Sequence, residues 1–183
     1  DVVALRGRLA LELADLDDFE AALSAAEHKR EVAREAAAAI ALRLREARKK
    51  AASKLSRSIS SELASLGMGD AQVEVDVQPL EGRGGELEIE GARLSPTGID
   101  RAAFLIAPNR GEAARPLAKV ASGGELSRAM LAIKRVLAGV GPAGLYVFDE
   151  VDSGVGGAVA EVIGEKLNDV AAHSQVLCIT HLA

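Results

Sequence analysis

The sequence predicts an α/β fold in which a parallel sheet with helices and a small antiparallel sheet follow a long coiled-coil helix. Residues 1–66 contain no proline and one glycine, and they are rich in alanine, leucine, glutamate and arginine, which are strong helix formers. Short segments between residues 67 and 107 alternate apolar and polar residues, as half-buried strands do. Beyond residue 116, two wholly apolar runs flank a helical segment, which is typical of parallel strands joined by a helix.

Length and charge limit the function classes. The chain of 183 residues has room for one large domain or two small ones, and its 22 basic and 27 acidic residues give a net charge of −5. This charge excludes a uniformly basic nucleic-acid-binding protein but leaves room for a local basic patch. The single cysteine, Cys178, lies in an apolar run, so we expect a buried, unreactive thiol.

The sequence carries no membrane or export signal. No run is long and apolar enough to cross a membrane, and charges throughout residues 1–20 exclude a signal peptide. We therefore expect a cytoplasmic protein with no membrane partner. The sequence begins without methionine and stops directly after a strand-like run, so we expect a fragment of a longer protein.

Residues 1–66 are expected to form one coiled-coil helix. Their later part carries an apolar stripe in steps of three and four residues, which is the helical period: Ile40, Leu44, Ala47, Ala51, Leu55, Ile59, Leu63 and Leu66. A continuous helix of this length would extend about 100 Å, although residues 15–18 could interrupt it. One stripe cannot bury itself, so the helix needs a partner. Gly67 is typical of a helix end, and we place the boundary to a second domain, 67–183, there.

Basic residues concentrate on one part of this helix. Residues 43–57 contain seven basic side chains and one acidic side chain, Glu46. One interpretation is a solvated helix face. The other is a surface that contacts the phosphate backbone of DNA, and this surface would use Lys49, Lys50, Lys54 and Arg57.

Three segments are expected to be strands of the small antiparallel sheet. They are 72–77, 86–90 and 102–107. The remainder predicts a helix at 123–137, a strand at 144–148, a helix at 155–171 and a strand at 175–179, with the two strands parallel and covered on both faces.

Two adjacent carboxylates, Asp149 and Glu150, follow the first apolar strand. Ligands bind at the carboxyl ends of strands in open α/β sheets. Asp149 is placed to hold Mg²⁺, which prefers oxygen ligands and phosphates, and Glu150 to polarise a water. Such a pair fits phosphoryl transfer, which needs a metal ion and an oriented water. An acidic turn after an ordinary strand is the alternative.

The segment Ser122-Gly123-Gly124-Glu125 opens the predicted helix at 123–137. Exposed backbone N–H groups and the helix dipole make a helix start of this kind an anion site. Ser122 and Glu125 also have the spacing of a capping box, which explains part of the motif as local structure. Two glycines in a first turn cost about 1 kcal/mol each against alanine, and close approach of a phosphate would explain them.

One histidine, His181, follows the second apolar strand. A lone histidine is usually structural. Beside a strand that ends in Asp149 and Glu150, however, it is a candidate to contact a phosphate oxygen.

In order and spacing, these elements resemble the head of an ABC-type ATPase. Residues 122–125 resemble the signature motif, 146–150 the Walker B strand, 151–154 the D-loop and 179–181 the switch histidine. ABC transporters usually have Pro-Thr where this sequence has Val151-Asp152, and they lack the long helix ahead of the motifs. The sequence is therefore more similar to the SMC-like ATPases of DNA maintenance.

Within that family, the sequence is most similar to a bacterial DNA-repair member. The similarity rests on segments 104–109, 116–128, 148–154 and 179–182, and it covers residues 55–182 well. It implies the C-terminal lobe of an ABC-type ATPase head, in a protein that binds or tethers DNA ends in double-strand break repair and recombination on the bacterial nucleoid. Arg110 departs from the family, which commonly has proline there, and we expect a local loop change.

The resemblance implies a role for each site residue. Asp149 would position Mg²⁺, Glu150 would act as general base on the attacking water, and His181 would contact the γ-phosphate. The ATP-binding signature residues would face ATP on a second head, and they are Ser122, Gly123, Gly124 and Glu125. Asp152 and Ser153 would communicate across the interface between heads.

The sequence lacks a Gly-x-x-x-x-Gly-Lys-[Ser/Thr] motif, so the lysine that cradles ATP phosphates is absent from it. The resemblance implies that an N-terminal lobe of the same protein supplies this motif, and we expect no ATPase activity from this chain alone. The implied partners are DNA and a second copy, joined through ATP-sandwiched heads or the coiled coil.

Two other function classes fit less well. A transporter-type ABC motor conflicts with Val151-Asp152 and the long helix. An inert coiled-coil interaction module conflicts with the presence of Asp149, Glu150 and His181.

Overall fold

A computed structural model describes residues 2–82, 87–120, 122–140 and 144–180, without the side chains of 14–17. Three helices and seven strands occur in these ranges, and a 3₁₀ turn at Leu117–Lys119 precedes the second helix. In chain order the elements are α1 (Val2–Ser65), β1 (Gln72–Pro79), β2 (Glu88–Ile89), β3 (Ala92–Arg93), β4 (Asp100–Ala107), β5 (Arg115–Pro116), α2 (Gly123–Val136), β6 (Leu145–Asp149), α3 (Gly157–Ala171) and β7 (Gln175–Ile179). The α/β class and the long first helix are as predicted.

Helix α1 is continuous over 64 residues, so it passes through residues 15–18 without a break. All described side chains from 2 to 36 are exposed, including large apolar ones such as Leu9, Leu13 and Phe19. Ala37 and Ala38 are half-buried, and full burial begins at Ala41 and recurs at Ile59 and Leu63. The first part of α1 therefore projects from the rest of the chain, and the last part is built into it.

The antiparallel sheet has the order β1-β4-β5, and β1 pairs with β4 along eight residues. The prediction that 86–90 is a strand of this sheet was wrong. Only Glu88–Ile89 is extended, and it pairs with β3 in a separate hairpin; residues 83–86 lie outside the described ranges. Glu90 and Gly91 form the two-residue turn with positive φ angles of 50° and 74°, as a tight hairpin turn requires.

Two serine hydroxyls of α1 accept hydrogen bonds from backbone N–H groups on the outer edge of β1. The Val73 amide donates to Ser60 Oγ at 3.0 Å, and the Val75 amide donates to Ser56 Oγ at 2.9 Å. Four residues of a helix rise about 6 Å and two residues of a strand about 6.6 Å, so the two spacings match. The helix thereby occupies hydrogen-bonding positions that an additional strand would otherwise use.

Arginines fix α1 to the loops beyond the sheet. Arg45 Nε donates to Asp100 Oδ1 at 2.9 Å and its Nη1 donates to Glu90 at 3.0 Å, while Arg48 donates to the backbone carbonyls of Thr97 and Asp100. A small apolar cluster lies beside these bonds, and its buried members are Ala41, Ile89, Ala92 and Ile99. Part of the basic run therefore serves internal structure.

An ion-pair network joins the end of α1 to both later helices. The Glu62 carboxylate pairs with Arg135 of α2 and, at 3.1 Å, with Lys166 of α3. Arg135 Nε also lies 3.0 Å from Asp169 of α3. The main apolar core adjoins this network, and its fully buried side chains include Ile59, Leu63, Leu66, Ile106 and Leu131.

Strands β6 and β7 pair in parallel, with α3 between them in sequence, as predicted. The prediction that both faces are covered was wrong for the described residues. Phe148 is buried in the core, but alternate positions are exposed by 48% to 62%, and these are Leu145, Val147, Leu177 and Ile179. An apolar run predicts a strand that is buried on both faces of its sheet. Here no described helix or strand packs over one face of β6 and β7.

Cys178 lies on the packed side of β7, but it is half-buried and not fully buried as the sequence predicted. Burial raises the pKa of its thiol, and the negative charges of Asp152 and Asp149 raise it further. The thiol is therefore less reactive than a free cysteine. Among the described residues, no helix has the length and apolar character that a membrane span requires.

Candidate active site

The two adjacent carboxylates lie at the carboxyl end of β6, as the sequence predicted. Asp149 is the last residue of the strand, and Glu150 follows it with a φ of 54°. A left-handed backbone is unusual for glutamate and costs free energy, so neighbouring contacts must hold it. The Ser153 amide donates to the Glu150 carbonyl at 3.0 Å and closes a tight turn. Both carboxylates are exposed.

The start of α2 lies directly against this turn. Ser122 is the N-cap, and its Oγ accepts from the Glu125 amide at 3.4 Å. A Cβ at Gly123 would lie 2.9 Å from Glu150 Oε2, and one at Gly124 would lie 3.1 Å from both the Glu150 carbonyl and Ser153 Cβ. The glycine pair thus lets α2 approach the turn closely. This packing accounts for Gly124, which meets a backbone carbonyl. The atom nearest to Gly123 is the end of the exposed, flexible Glu150 side chain, so packing alone does not require a glycine there.

Two further side chains of α2 bind the same turn. Ser127 Oγ donates to the Asp149 carbonyl at 2.5 Å. Arg128 Nη1 donates to the Ser153 carbonyl at 2.9 Å and the Val151 carbonyl at 3.4 Å. Sequence reasoning missed both residues. The available signal was a basic residue among the apolar positions of an amphipathic helix, since Arg128 precedes the buried Ala129.

Burial shapes the electrostatics of this contact. Arg128 is 8% exposed, and desolvation lowers the pKa of its guanidinium, although the charge of Glu125 raises it in part. Asp152 is also buried, and Thr180 at the end of β7 donates a hydrogen bond to its Oδ2. The turn is therefore held from α2 on one side and from β7 on the other.

The structure brings most of the predicted site residues together, namely Ser122, Gly123, Gly124, Glu125, Asp149, Glu150, Asp152 and Ser153. His181 lies outside the described residues, three positions after Cys178. The described residues contain no group of three or more His, Cys, Asp or Glu able to hold a metal ion. One exposed carboxylate at a strand end fits Mg²⁺, because this ion usually binds one or two carboxylates together with phosphates and water.

The predicted DNA-contact residues lie apart from this site, on α1. Lys49, Lys50, Lys54 and Arg57 are all exposed. At 100° per residue, Lys50, Lys54 and Arg57 lie on one side of the helix with Arg43, opposite the buried Ala52 and Ile59. Lys49 is turned about 100° from Lys50 and pairs with Glu46 at 3.5 Å. We name Arg43, Lys50, Lys54 and Arg57 the basic stripe.

Arg110 occupies the loop after β4, where the sequence predicted a local change. Its Nε lies 3.0 Å from Asp70 Oδ1, and both side chains are exposed. Within the same connection, Asn109 of the loop and Arg115 at the start of β5 both donate to Glu112.

No protein-family model matches the sequence. A DNA repair protein RecN from Xylella fastidiosa strain Temecula1 is 39% identical over 182 residues, which cover 100% of this chain and 31% of that protein. A DNA repair protein RecN from Streptomyces coelicolor is 46% identical over 145 residues, which cover 78% of this chain and 25% of that protein. The chain thus spans about a quarter to a third of the length of these curated relatives.

Among solved structures, an Smc head bound to the C-winged helix domain of ScpA aligns with a TM-score of 0.43 and 20% identity. The alignment covers 73% of this chain and 36% of that chain. The bacterial DNA-repair member indicated by the motifs is RecN, so that prediction is confirmed. The chain is homologous to RecN over its whole length and belongs, as a segment of about a third of that length, to this family of DNA repair proteins.

Proposed function

We propose that the chain is the C-terminal head lobe and adjoining coiled-coil helix of an ATPase that acts in DNA double-strand break repair and recombination. The observation that carries the proposal is the contact between the start of α2 and the turn 150–153, where Gly123 lies against Glu150. A helix start suited to anions and two exposed carboxylates at a strand end are the groups that phosphoryl transfer requires.

Each residue of the site has a distinct task. When bound, Mg²⁺ and ATP supply the metal charge and the phosphoanhydride bond. Asp149 holds the metal ion, and Glu150 accepts a proton from the attacking water. His181 contacts a phosphate oxygen. Glu150 is suited to its task because its carboxylate is exposed and its Oε2 lies beside Gly123 at the helix start.

The site is completed by other parts of the protein. The sequence has no phosphate-cradling lysine motif, so an N-terminal lobe of the same protein must provide it. The exposed apolar face of β6 and β7 offers this lobe a surface, since Leu145, Val147, Leu177 and Ile179 lack cover among the described elements. This chain alone therefore has no ATPase activity.

A second copy supplies the other partner surface. Ser122, Gly123, Gly124 and Glu125 face ATP bound to the second head, with Asp152 and Ser153 at the same interface. The exposed apolar residues of α1 suit a helical partner in a coiled coil. The basic stripe suits the phosphates of DNA, which can be held or tethered at its ends. Because DNA is one of these partners, we expect the protein in the cytoplasm, on the nucleoid.

The test uses a protein that joins this chain to the N-terminal lobe. ATP turnover is measured with and without linear duplex DNA, for the wild type and for Glu150→Gln. We expect low basal turnover, stimulation by DNA, and loss of turnover in the variant with ATP-trapped dimers by light scattering. Glu161→Gln, an exposed glutamate on α3, is the matched control and should hydrolyse ATP normally.

Two results would overturn parts of the proposal. Normal hydrolysis by Glu150→Gln would exclude Glu150 as the general base. Turnover by the present chain without the N-terminal lobe, abolished by Glu150→Gln, would exclude the need for that lobe.

A further inference from the structure

We infer that Arg128 is a positioning residue that locks the turn 150–153 to α2, so that the catalytic carboxylate and the helix start facing the second head move as one unit. The inference rests on the proposed function. It adds a link between the two nucleotide sites of a dimer, and it assigns this link to a residue that does not itself touch nucleotide.

Most contacts between α2 and the turn are made to backbone carbonyls of the turn. Four carbonyls in the segment 149–153 face α2. Ser127 binds that of Asp149, Gly124 lies against that of Glu150, and Arg128 binds those of Val151 and Ser153. A segment held at so many backbone atoms cannot shift without moving the helix or breaking hydrogen bonds.

The burial of Arg128 has a free-energy cost that its hydrogen bonds to the turn must offset. The residue is 8% exposed, and its Nε has no hydrogen-bond partner among the described residues. Burying a cation against carbonyl oxygens costs free energy that an apolar side chain of similar volume would not cost. The arginine is suited to something that an apolar residue cannot do, which is to hold two carbonyls of the turn with one nitrogen.

The consequence concerns two ATP molecules. Glu150 serves the nucleotide of its own head, whereas Ser122 and Gly123 face the nucleotide of the second head. Since Arg128 and Gly124 join these two groups, engagement of one nucleotide changes the position of the carboxylate at the other. Hydrolysis in the dimer is therefore cooperative in ATP.

The experiment compares Arg128→Gln and Arg128→Lys in the protein that carries the N-terminal lobe. A lysine ammonium can still donate to one or both carbonyls, so it should rescue in part. Arg135→Lys, on the same helix with carboxylate partners, is the matched control. The measurements are turnover against ATP concentration, ATP affinity of the isolated monomer, the melting temperature, and amide hydrogen exchange at 150–153.

We expect Arg128→Gln to lower kcat by about 10- to 100-fold, as misplacement of a catalytic group by about 1 Å can do. Its Hill coefficient should fall towards one, with unchanged ATP affinity of the monomer and faster exchange at 150–153. Arg128→Lys should be intermediate in all three changed quantities, and Arg135→Lys should resemble the wild type.

Unchanged cooperativity and exchange in Arg128→Gln would overturn the inference. Equal losses of turnover in Arg128→Gln and Arg128→Lys, in proportion to the fall in melting temperature, would also overturn it. Such a pattern would indicate a structural role alone. If Arg128→Gln does not fold, Arg128→Lys decides by the same readouts. If the wild type shows no turnover, the proposed function fails, and the exchange measurement still tests the lock.

Discussion

The basic stripe on α1 makes the salt dependence of DNA binding a quantitative test. Its four cations, Arg43, Lys50, Lys54 and Arg57, span 14 residues, or about 21 Å of helix. Each phosphate neutralised contributes about −0.9 to the slope of log K against log salt, so four contacts give a slope of about −3.6. Replacing Lys50, Lys54 and Arg57 by alanine should reduce the magnitude of this slope by about 2.7.

Fluorescence anisotropy of a labelled linear duplex, titrated at several salt concentrations, measures this slope. Lys49→Ala is the internal control, because Lys49 points about 100° away from Lys50 and pairs with Glu46. We expect it to change the slope by less than about 0.5. An unchanged slope in the triple variant would refute the phosphate-contact interpretation and favour a solvated helix face. An equal effect of Lys49→Ala would refute the assignment of the stripe.

Three further predictions concern packing and reactivity. Ser60→Ala should lower the free energy of unfolding by about 1–3 kcal/mol in urea denaturation, because the buried Val73 amide loses its acceptor; a loss below about 0.3 kcal/mol would mean that water replaces the hydroxyl. Gly124→Ala should lower the free energy of unfolding by up to about 2 kcal/mol in thermal melting, since crowding of its Cβ, 3.1 Å from the Glu150 carbonyl, costs about 1–3 kcal/mol and the higher helix propensity of alanine returns about 1 kcal/mol; a gain of about 1 kcal/mol would show that the turn can yield. Cys178 should react with iodoacetamide more slowly than a free cysteine at pH 8, because its raised pKa leaves less thiolate; equal rates would contradict this.

The sequence predicted elements best where the signals are local. Ser122 is an N-cap, and its distance to Glu125 marks the start of α2 whatever surrounds it. Likewise, an apolar run followed by Asp149 marks the end of β6. The site could therefore be assembled from the order of its motifs, with the two carboxylates correctly placed.

Predictions failed where the outcome depends on distant partners. Alternation identified Ile89 as a strand residue with one buried side, but it contains no information about which strand pairs with it. Arg45 and Arg48 belong to the same basic run as Lys50, and only the position of Asp100, more than 50 residues later, separates internal contacts from solvated ones. Arg128 could not be assigned to the turn for the same reason, since its acceptors are backbone carbonyls.

Helix α1 continues without a break from the core into solvent, so a tilt of its packed part would also move its exposed part. The segment from Ala41 to Ser65 packs against the core, and the exposed segment from Val2 to Ala36 projects as an arm of about 52 Å. A tilt of the packed segment by about 5° would displace the tip of this arm by about 4.5 Å, which exceeds the 1–2 Å helix shifts common at interfaces. A small tilt at the ion pairs of Glu62 would therefore move the tip of the arm by nearly the rise of one helical turn.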